Sequence, residues 1–186
     1  LCGLSFRISA HSFYQVNSTQ TEVLYRSAMH AAGLDGESSY ENTATHHAAA
    51  APTIIDAYCG TGTIGLVAAS QATGARVIGV DTTESAIRDA RQNAAHNGIE
   101  NAEFICADAG DFMRTCAAER RVVDIVLMDP PRAGASEEFL QATCALAPKR
   151  IVYISCNPET QVRDIRFLTK HGYFLESIQA VDMFPH

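Results

Sequence analysis

Thr53-Ile-Ile-Asp56-Ala-Tyr58-Cys-Gly60-Thr-Gly62-Thr63-Ile-Gly65 decides the fold. A short apolar run leads straight into two closely spaced glycines and then into residues that continue as a helix. That order reads as strand, tight turn, helix. Glycine suits the turn because it reaches positive φ and lets a ligand approach the backbone. The same grammar then repeats to the end of the chain. Spacing predicts further strands at 76–81, 102–107, 124–128, 150–155 and 173–181, with helices at 63–73, 84–96, 109–118, 137–145 and 160–171 between them. Gly98 and Gly172 stand where helices of this kind end. Short continuous apolar strands separated by helices imply a parallel sheet covered on both faces. Right-handed crossovers make this a doubly wound α/β domain, with ligands at the carboxyl ends of the strands.

Ahead of this run, residues 4–9 read as a short lead-in strand. Asn17 with Gln20 resembles a capping box opening a helix to about Ala32, ended by Gly33. Its expected buried face carries Val23, Leu24, Ala28 and Ala31. The stretch 35–52 is polar and then Ala-rich, without apolar periodicity, and reads as a mobile insertion loop. The expected organisation is therefore a lead-in strand and helix over 1–34, that loop, and a catalytic domain over 53–186. His46 and His47 have no nearby third ligand in the sequence, so no metal site is expected.

The chain has 186 residues, 47% of them apolar and 19% charged, which is ordinary for a globular domain. No apolar run reaches the ~20 residues of a membrane span, and no signal peptide opens the chain. The six cysteines form no C-x-x-C pair, so reduced thiols and a cytoplasmic setting are expected. The net charge of −7 is uneven: residues 1–131 hold 8 Lys/Arg against 15 Asp/Glu, and residues 132–186 hold 6 of each. An acidic domain grips nucleic acid poorly on its own, because phosphate contacts supply most non-specific affinity.

The glycine turn satisfies G-x-G-x-x-G, so a dinucleotide site and an S-adenosylmethionine site both compete for it. Asp81 ends the next strand, where an acid can take two ribose hydroxyls of either ligand. Three features favour S-adenosylmethionine. Asp56 precedes Gly60 and Gly62, where its charge suits a cationic amino group and opposes a pyrophosphate. Asp108 ends the third strand of the run, where a carboxylate can meet an adenine amino group. Asp129-Pro-Pro after the fourth strand is a reaction-site signal with no dinucleotide role.

In amino-methyltransferases a loop of this Asp-Pro-Pro kind continues with an aromatic residue that stacks on the target base. Here Arg132 follows, suited to a phosphate or a base edge, and an exocyclic amine becomes a weaker target. The last apolar strand but one delivers Ser155-Cys156-Asn157-Pro158 to the same rim. A thiolate there can add to C6 of a uracil and make C5 nucleophilic. Asn157 joins Arg132 as a candidate substrate contact. The alternative readings are an N-methyltransferase, or a cofactor-binding module without turnover.

Ser12-Phe-Tyr-Gln15-Val-Asn17, Asp56-Ala-Tyr-Cys-Gly-Thr-Gly62, Gly79-Val-Asp81, Asp129-Pro-Pro-Arg132-Ala-Gly134, Ser155-Cys-Asn-Pro158 and Val181-Asp-Met-Phe-Pro-His186 span nearly the whole chain. Together they resemble the catalytic domain of the RNA uracil-5-methyltransferases, and their wording resembles the ribosomal RNA branch of Gram-positive bacteria. The resemblance implies methyl transfer from S-adenosylmethionine to C5 of a uridine in RNA, ribosomal rather than transfer RNA. It implies that Gln15, Tyr58, Asp81 and Asp129 contact the cofactor, that Thr63 and Asp108 add to them, and that Cys156 is the nucleophile. Asp81 stands where the family often has Glu. The family's Thr and His-Val-Glu after Phe184-Pro185-His186 are absent, as are its amino-terminal RNA-binding domain and any iron–sulfur cysteine cluster. That Glu is the expected base for the C5 proton. The implied picture is a domain that lacks its final strand, leaves much of the RNA grip to other domains, and binds cofactor but turns over poorly.

Overall fold

A computed structural model describes residues 1–8, 15, 17–35, 51–72 and 74–184. The expected insertion loop, apart from its ends, lies outside these residues, as do His46 and His47. Among them the strands are β1 (Thr53–Ala57), β2 (Arg76–Asp81), β3 (Ala102–Cys106), β4 (Ile125–Met128) and β5 (Arg150–Tyr153). The helices are α1 (Ser18–Ala32), α2 (Thr63–Gln71), α3 (Glu84–His96), α4 (Ala109–Ala118), α5 (Glu137–Leu146) and α6 (Pro158–Lys170). All strand pairs are parallel, in the order β3-β2-β1-β4-β5. The order reverses between β1 and β4, which is where a ligand crevice opens in such sheets.

Alternate side chains of each strand face opposite layers, the period-two rule of a pleated strand. Ile54, Val77, Ile125, Leu127 and Val152 meet α1 and α2 through Tyr25, Ala28, Met29, Ile64, Val67 and Ala68. Ile55, Ala57, Val126 and Met128 meet the other layer through Met113, Phe139, Leu140 and Leu168. α3 closes the first layer, with Ile87, Ala90 and Ala94 around Leu66 and Phe104. The doubly wound sheet expected from the alternation is the sheet observed.

α1 begins and ends as its sequence predicts. The Asn17 side chain accepts from the Gln20 N–H, and Gly33 takes the left-handed conformation at φ 74°. Its buried face is only partly the one expected: Ala28 is buried, and Leu24 and Ala31 pack against the core. Thr21, Tyr25, Ala28, Met29 and Ala32 face the sheet, while Val23 is exposed. Tyr25 explains the rotation: its ring packs in the core and its hydroxyl meets the Thr63 hydroxyl at 2.7 Å.

Two expected strands are absent among the described residues. Residues 4–8 are extended without strand pairing. The backbone of Ser5 and Arg7 pairs instead with side-chain amides at the end of α3: Ser5 N–H donates to Asn97 Oδ1 at 2.9 Å and Arg7 N–H to Asn93 Oδ1 at 2.7 Å. The amides donate back, Asn97 to the Ser5 carbonyl and Asn93 to the Arg7 carbonyl. Residues 173–181 form no strand either. A strand exists only through its ladder, and among the described residues no second strand lies beside this segment; Phe174 and Ile178 are 82% and 70% exposed. No described helix is long and apolar enough to cross a membrane.

Candidate active site

The parallel register places every loop after a strand on one rim. Ala57 pairs with Val80 and with Met128, Asp81 with Cys106, and Met128 with Tyr153. The residues that follow, 58–62, 82–83, 107–108, 129–136 and 154–157, therefore share that rim. Of the expected site residues, Tyr58, Gly60, Gly62, Asp108, Asp129, Arg132, Cys156 and Asn157 fall in these loops, while Asp56 lies in β1, Asp81 ends β2, Thr63 opens α2 and Gln15 precedes α1.

The turn after β1 is held by both neighbouring strands. Cys59 N–H donates to the Val80 carbonyl at 3.1 Å. Gly60 N–H donates to Asp81 Oδ2 at 3.0 Å, and the other Asp81 oxygen accepts from Thr83 N–H at 2.8 Å. Tyr58 sits at φ 63°, a conformation that costs a non-glycine residue about 1–3 kcal/mol and clusters at functional sites. Its ring lies 5.2 Å from that of Phe139, and burial pushes its phenol up to about 12. Gly62 has φ 79°, and a Cβ there would lie 2.7 Å from the Phe104 ring, so the turn can hold no larger residue. Asp108 caps α4, accepting from Asp111 N–H at 3.0 Å. Thr63 opens α2 with its hydroxyl turned to Tyr25.

Asp56 is the outlier of this group. It is fully buried, with Oδ2 accepting from Gly65 N–H at 2.8 Å, and Oδ1 has no hydrogen-bond partner among the described residues. Burial above all pushes its carboxyl up to about 7, and the charges of Asp129 and Asp81 add to that. A buried polar atom without a partner is rare and marks strain or a missing ligand group. Asp129 follows β4 on the same side of the switch point, and burial pushes it up to about 6. These carboxylates suit a cationic ligand.

The second half of the site is built by α6. Cys156 is exposed on the loop between β5 and α6, whereas Cys59 and Cys116 are buried. Asn157 is the N-cap of α6: its Oδ1 accepts from Glu159 N–H at 3.2 Å, and its Nδ2 donates to the Arg132 carbonyl at 3.1 Å. The Thr160 hydroxyl donates to that same carbonyl at 3.2 Å. The Asn157 side chain, expected to meet substrate, is thus engaged in joining the two loops, while the Arg132 side chain is exposed and makes no hydrogen bond among the described residues. Sequence reasoning missed Thr160, Arg163, Asp164 and the buried amide of Asn93, which donates to the Thr61 carbonyl at 3.3 Å. The available signal for Asp164 was its place four residues before Leu168 on the buried stripe of α6.

Two distant pieces of sequence also meet. Asn17 Nδ2 donates to the Met183 carbonyl at 3.0 Å, which ties the segment after Gln15 to the end of the described chain. Gln15 is half-buried beside it in sequence; the preceding Ser12-Phe-Tyr lies outside the described residues. No group of three or more His, Cys, Asp or Glu that could hold a metal occurs among the described residues.

Residues 49–184 match the methyltransferase-domain family. The chain is 44% identical over 183 residues to an uncharacterized RNA methyltransferase of Listeria monocytogenes serovar 1/2a, covering 98% of this chain and 37% of that protein. It is 45% identical over 186 residues to an uncharacterized RNA methyltransferase of Lactiplantibacillus plantarum, covering all of this chain and again 37% of the relative. The chain thus spans little more than a third of the curated relatives it matches. Among solved structures, the SAM-dependent methyltransferase from Agrobacterium tumefaciens superposes with a TM-score of 0.67 at 23% identity, over 91% of this chain and 56% of that one. The β3-β2-β1-β4-β5 sheet with its glycine turn at the switch point is that fold, and the chain belongs to the methyltransferase-domain family.

Proposed function

We propose that this chain is the catalytic domain of an S-adenosylmethionine-dependent RNA methyltransferase that modifies C5 of a uridine, in ribosomal RNA, through a covalent bond from Cys156 to C6. The observation that carries the reading is the placement of an exposed Cys156 and a half-buried Asp129 on loops after adjacent strands. The relatives' names support an RNA substrate.

S-adenosylmethionine supplies an electrophilic sulfonium methyl. Asp56, through its unpartnered Oδ1, would hold the cationic amino group, Asp81 the ribose and Asp108 the adenine, with Gln15, Tyr58, Gly60, Gly62, Thr63 and Asp129 completing the site. Cys156 acts on the uracil. Its thiolate adds to C6, the C5–C6 π pair moves into an enolate across C5, C4 and O4, and C5 becomes the nucleophile. After C5 is methylated, a base takes the C5 proton and the returning electron pair expels the thiolate. Arg132, exposed beside these loops, would pair with a phosphate or a base edge.

The test is trapping with 5-fluorouridine RNA. Fluorine at C5 cannot leave as a proton does, so the Sγ–C6 bond persists and the full-length protein gains the mass of the RNA. Cys156→Ala should abolish that adduct. Retained methylation by Cys156→Ala would instead point to an exocyclic amine target.

A further inference from the structure

We propose that Asp164, together with Arg163, is a positioning residue for this reaction: it locks the loop that carries Asp129 and Arg132 to the strand and helix that flank Cys156. The inference rests on the reading of Cys156 given above.

Asp164 is fully buried on α6, two turns after the cysteine loop. A buried carboxylate is costly unless its oxygens are satisfied. Here they are satisfied from three directions. Oδ2 accepts from Ala135 N–H at 2.9 Å and from the Tyr153 hydroxyl at 2.7 Å. Oδ1 accepts from Arg163 Nε at 2.8 Å, and Arg163 Nη2 lies 2.7 Å from it as an ion pair. Arg163 Nη2 in turn donates to the carbonyls of Ala133 and Ala135, each at 3.1 Å.

The geography matters more than the number of bonds. Ala133 and Ala135 belong to the loop after β4 that begins at Asp129. Tyr153 ends β5, three residues before Cys156. One carboxylate therefore fixes the reaction loop against the strand that delivers the thiol. Asn157 and Thr160 add two bonds to the Arg132 carbonyl from the first turn of the same helix. The fit is close. Gly134 has φ 81°, and a Cβ there would lie 2.5 Å from Arg163 Nη2 and 2.7 Å from Asp164 Oδ2. The loop can thus approach the ion pair only as glycine, and the ion pair in turn reads its backbone. The turn that binds cofactor lies on β1, and Asp164 makes no hydrogen bond to it. The predicted effect of Asp164 is therefore mainly on the geometry between thiol, uracil and Arg132, with a smaller effect on cofactor affinity through Asp129 on the same loop.

Single-turnover trapping of 5-fluorouridine RNA by the full-length protein tests this, with calorimetry of S-adenosylmethionine and thermal melting on the same samples. The first-order trapping constant does not depend on how much of the sample is folded, so a merely structural role leaves it unchanged. Asp164→Asn keeps an acceptor for Ala135 and Tyr153 but loses the charge opposite Arg163. Arg163→Lys keeps the charge but loses the forked donor, and at this exposed site it leaves the fold intact. The expected result is a trapping constant lowered by about 10- to 100-fold in Asp164→Asn, with a smaller loss in Arg163→Lys and cofactor affinity lowered less than the rate in both. Should Asp164→Asn fail to fold, Arg163→Lys decides alone. Trapping at the parental rate in both variants overturns the positioning role and leaves Cys156 as the nucleophile. Equal losses of cofactor affinity and rate overturn it as well, because the residues would then act through the cofactor. A parent that forms no adduct overturns the nucleophile and the positioning role together.

Discussion

Replacing Asp56 with Asn should change how stability depends on pH, by an amount the structure sets. The ordinary carboxyl titrates at 3.8, and burial raises Asp56 to about 7. Between these values the unfolded chain carries an ionised side chain while the folded chain keeps a proton on it. The contribution is fully present below pH 3.8 and is lost as pH rises through about 7. The slope is about 1.4 kcal/mol per pH unit, so from pH 5 to pH 8 the parent loses about 3 kcal/mol through this one group. Asp56→Asn has no such loss. Asp129 also titrates in this window, but it does so in both proteins and cancels in the comparison. Absolute stability matters less, because the Asn amide leaves a buried donor that costs about 1–3 kcal/mol at every pH. Urea unfolding followed by circular dichroism at pH 5 and pH 8 gives the required difference of differences. In thermal melts it amounts to about 6–12 °C for a chain of this size. Parallel pH profiles for the two proteins would refute the reasoning: Asp56 would then be solvated, or already partnered at Oδ1. The functional counterpart follows from the same group. If the ligand's ammonium binds the ionised form, S-adenosylmethionine affinity rises with pH up to about 7 in the parent, and binding below pH 7 releases a proton that calorimetry detects in buffers of different ionisation enthalpy. Asp56→Asn should bind weakly at all pH values and lose the proton release that Asp56 contributes near pH 7.

Asn93→Ala should cost about 2–3 kcal/mol in urea unfolding, because one buried amide serves the Arg7 N–H and the Arg7 and Thr61 carbonyls at once. Gly62→Ala should lower both stability and cofactor affinity, the first by about 1–3 kcal/mol from the left-handed backbone alone; a variant that melts and binds like the parent would show that the turn relaxes freely. Asp129→Asn should weaken cofactor binding and flatten the stability profile between pH 5 and pH 6 by about 1.4 kcal/mol, half the effect at Asp56, measured by the same unfolding series.

Much of this architecture was legible because its determinants are local. Gly33 and the Asn17 cap bound α1 through bonds within a few residues, and the run from Thr53 to Gly65 writes a strand, a turn and a helix in one stretch. β2 lies where its apolar run predicts, and so do α3 and α4. The errors concern partners. Residues 4–8 have strand-like composition, yet their ladder is made by Asn93 and Asn97, ninety residues on. Residues 173–181 carry residues suited to a strand, among them Tyr173, Phe174, Ile178 and Val181, yet a ladder needs a second strand beside them. The helical period alone placed Val23 inward, and only the packing of Tyr25 against Thr63 decided the rotation of α1.

The candidate site divides along the same line. Residue type and order were enough to single out Asp56, just before the glycine turn, and Asp81, Asp108, Asp129 and Cys156, which end or follow strands, because parallel strands must share a rim. Burial was not readable. That Asp56 is sealed with one oxygen unpartnered, and that Asp164 is sealed with every neighbour satisfied, depends on what packs around them. A carboxylate's chemistry is set by its surroundings, and those are assembled from residues far apart in the chain. The sequence by itself determined which groups reach the rim; the tertiary structure decided which of them are charged, which are tied, and which are held ready for a ligand, because solvent exclusion and hydrogen-bond partners exist only once the chain has closed around them.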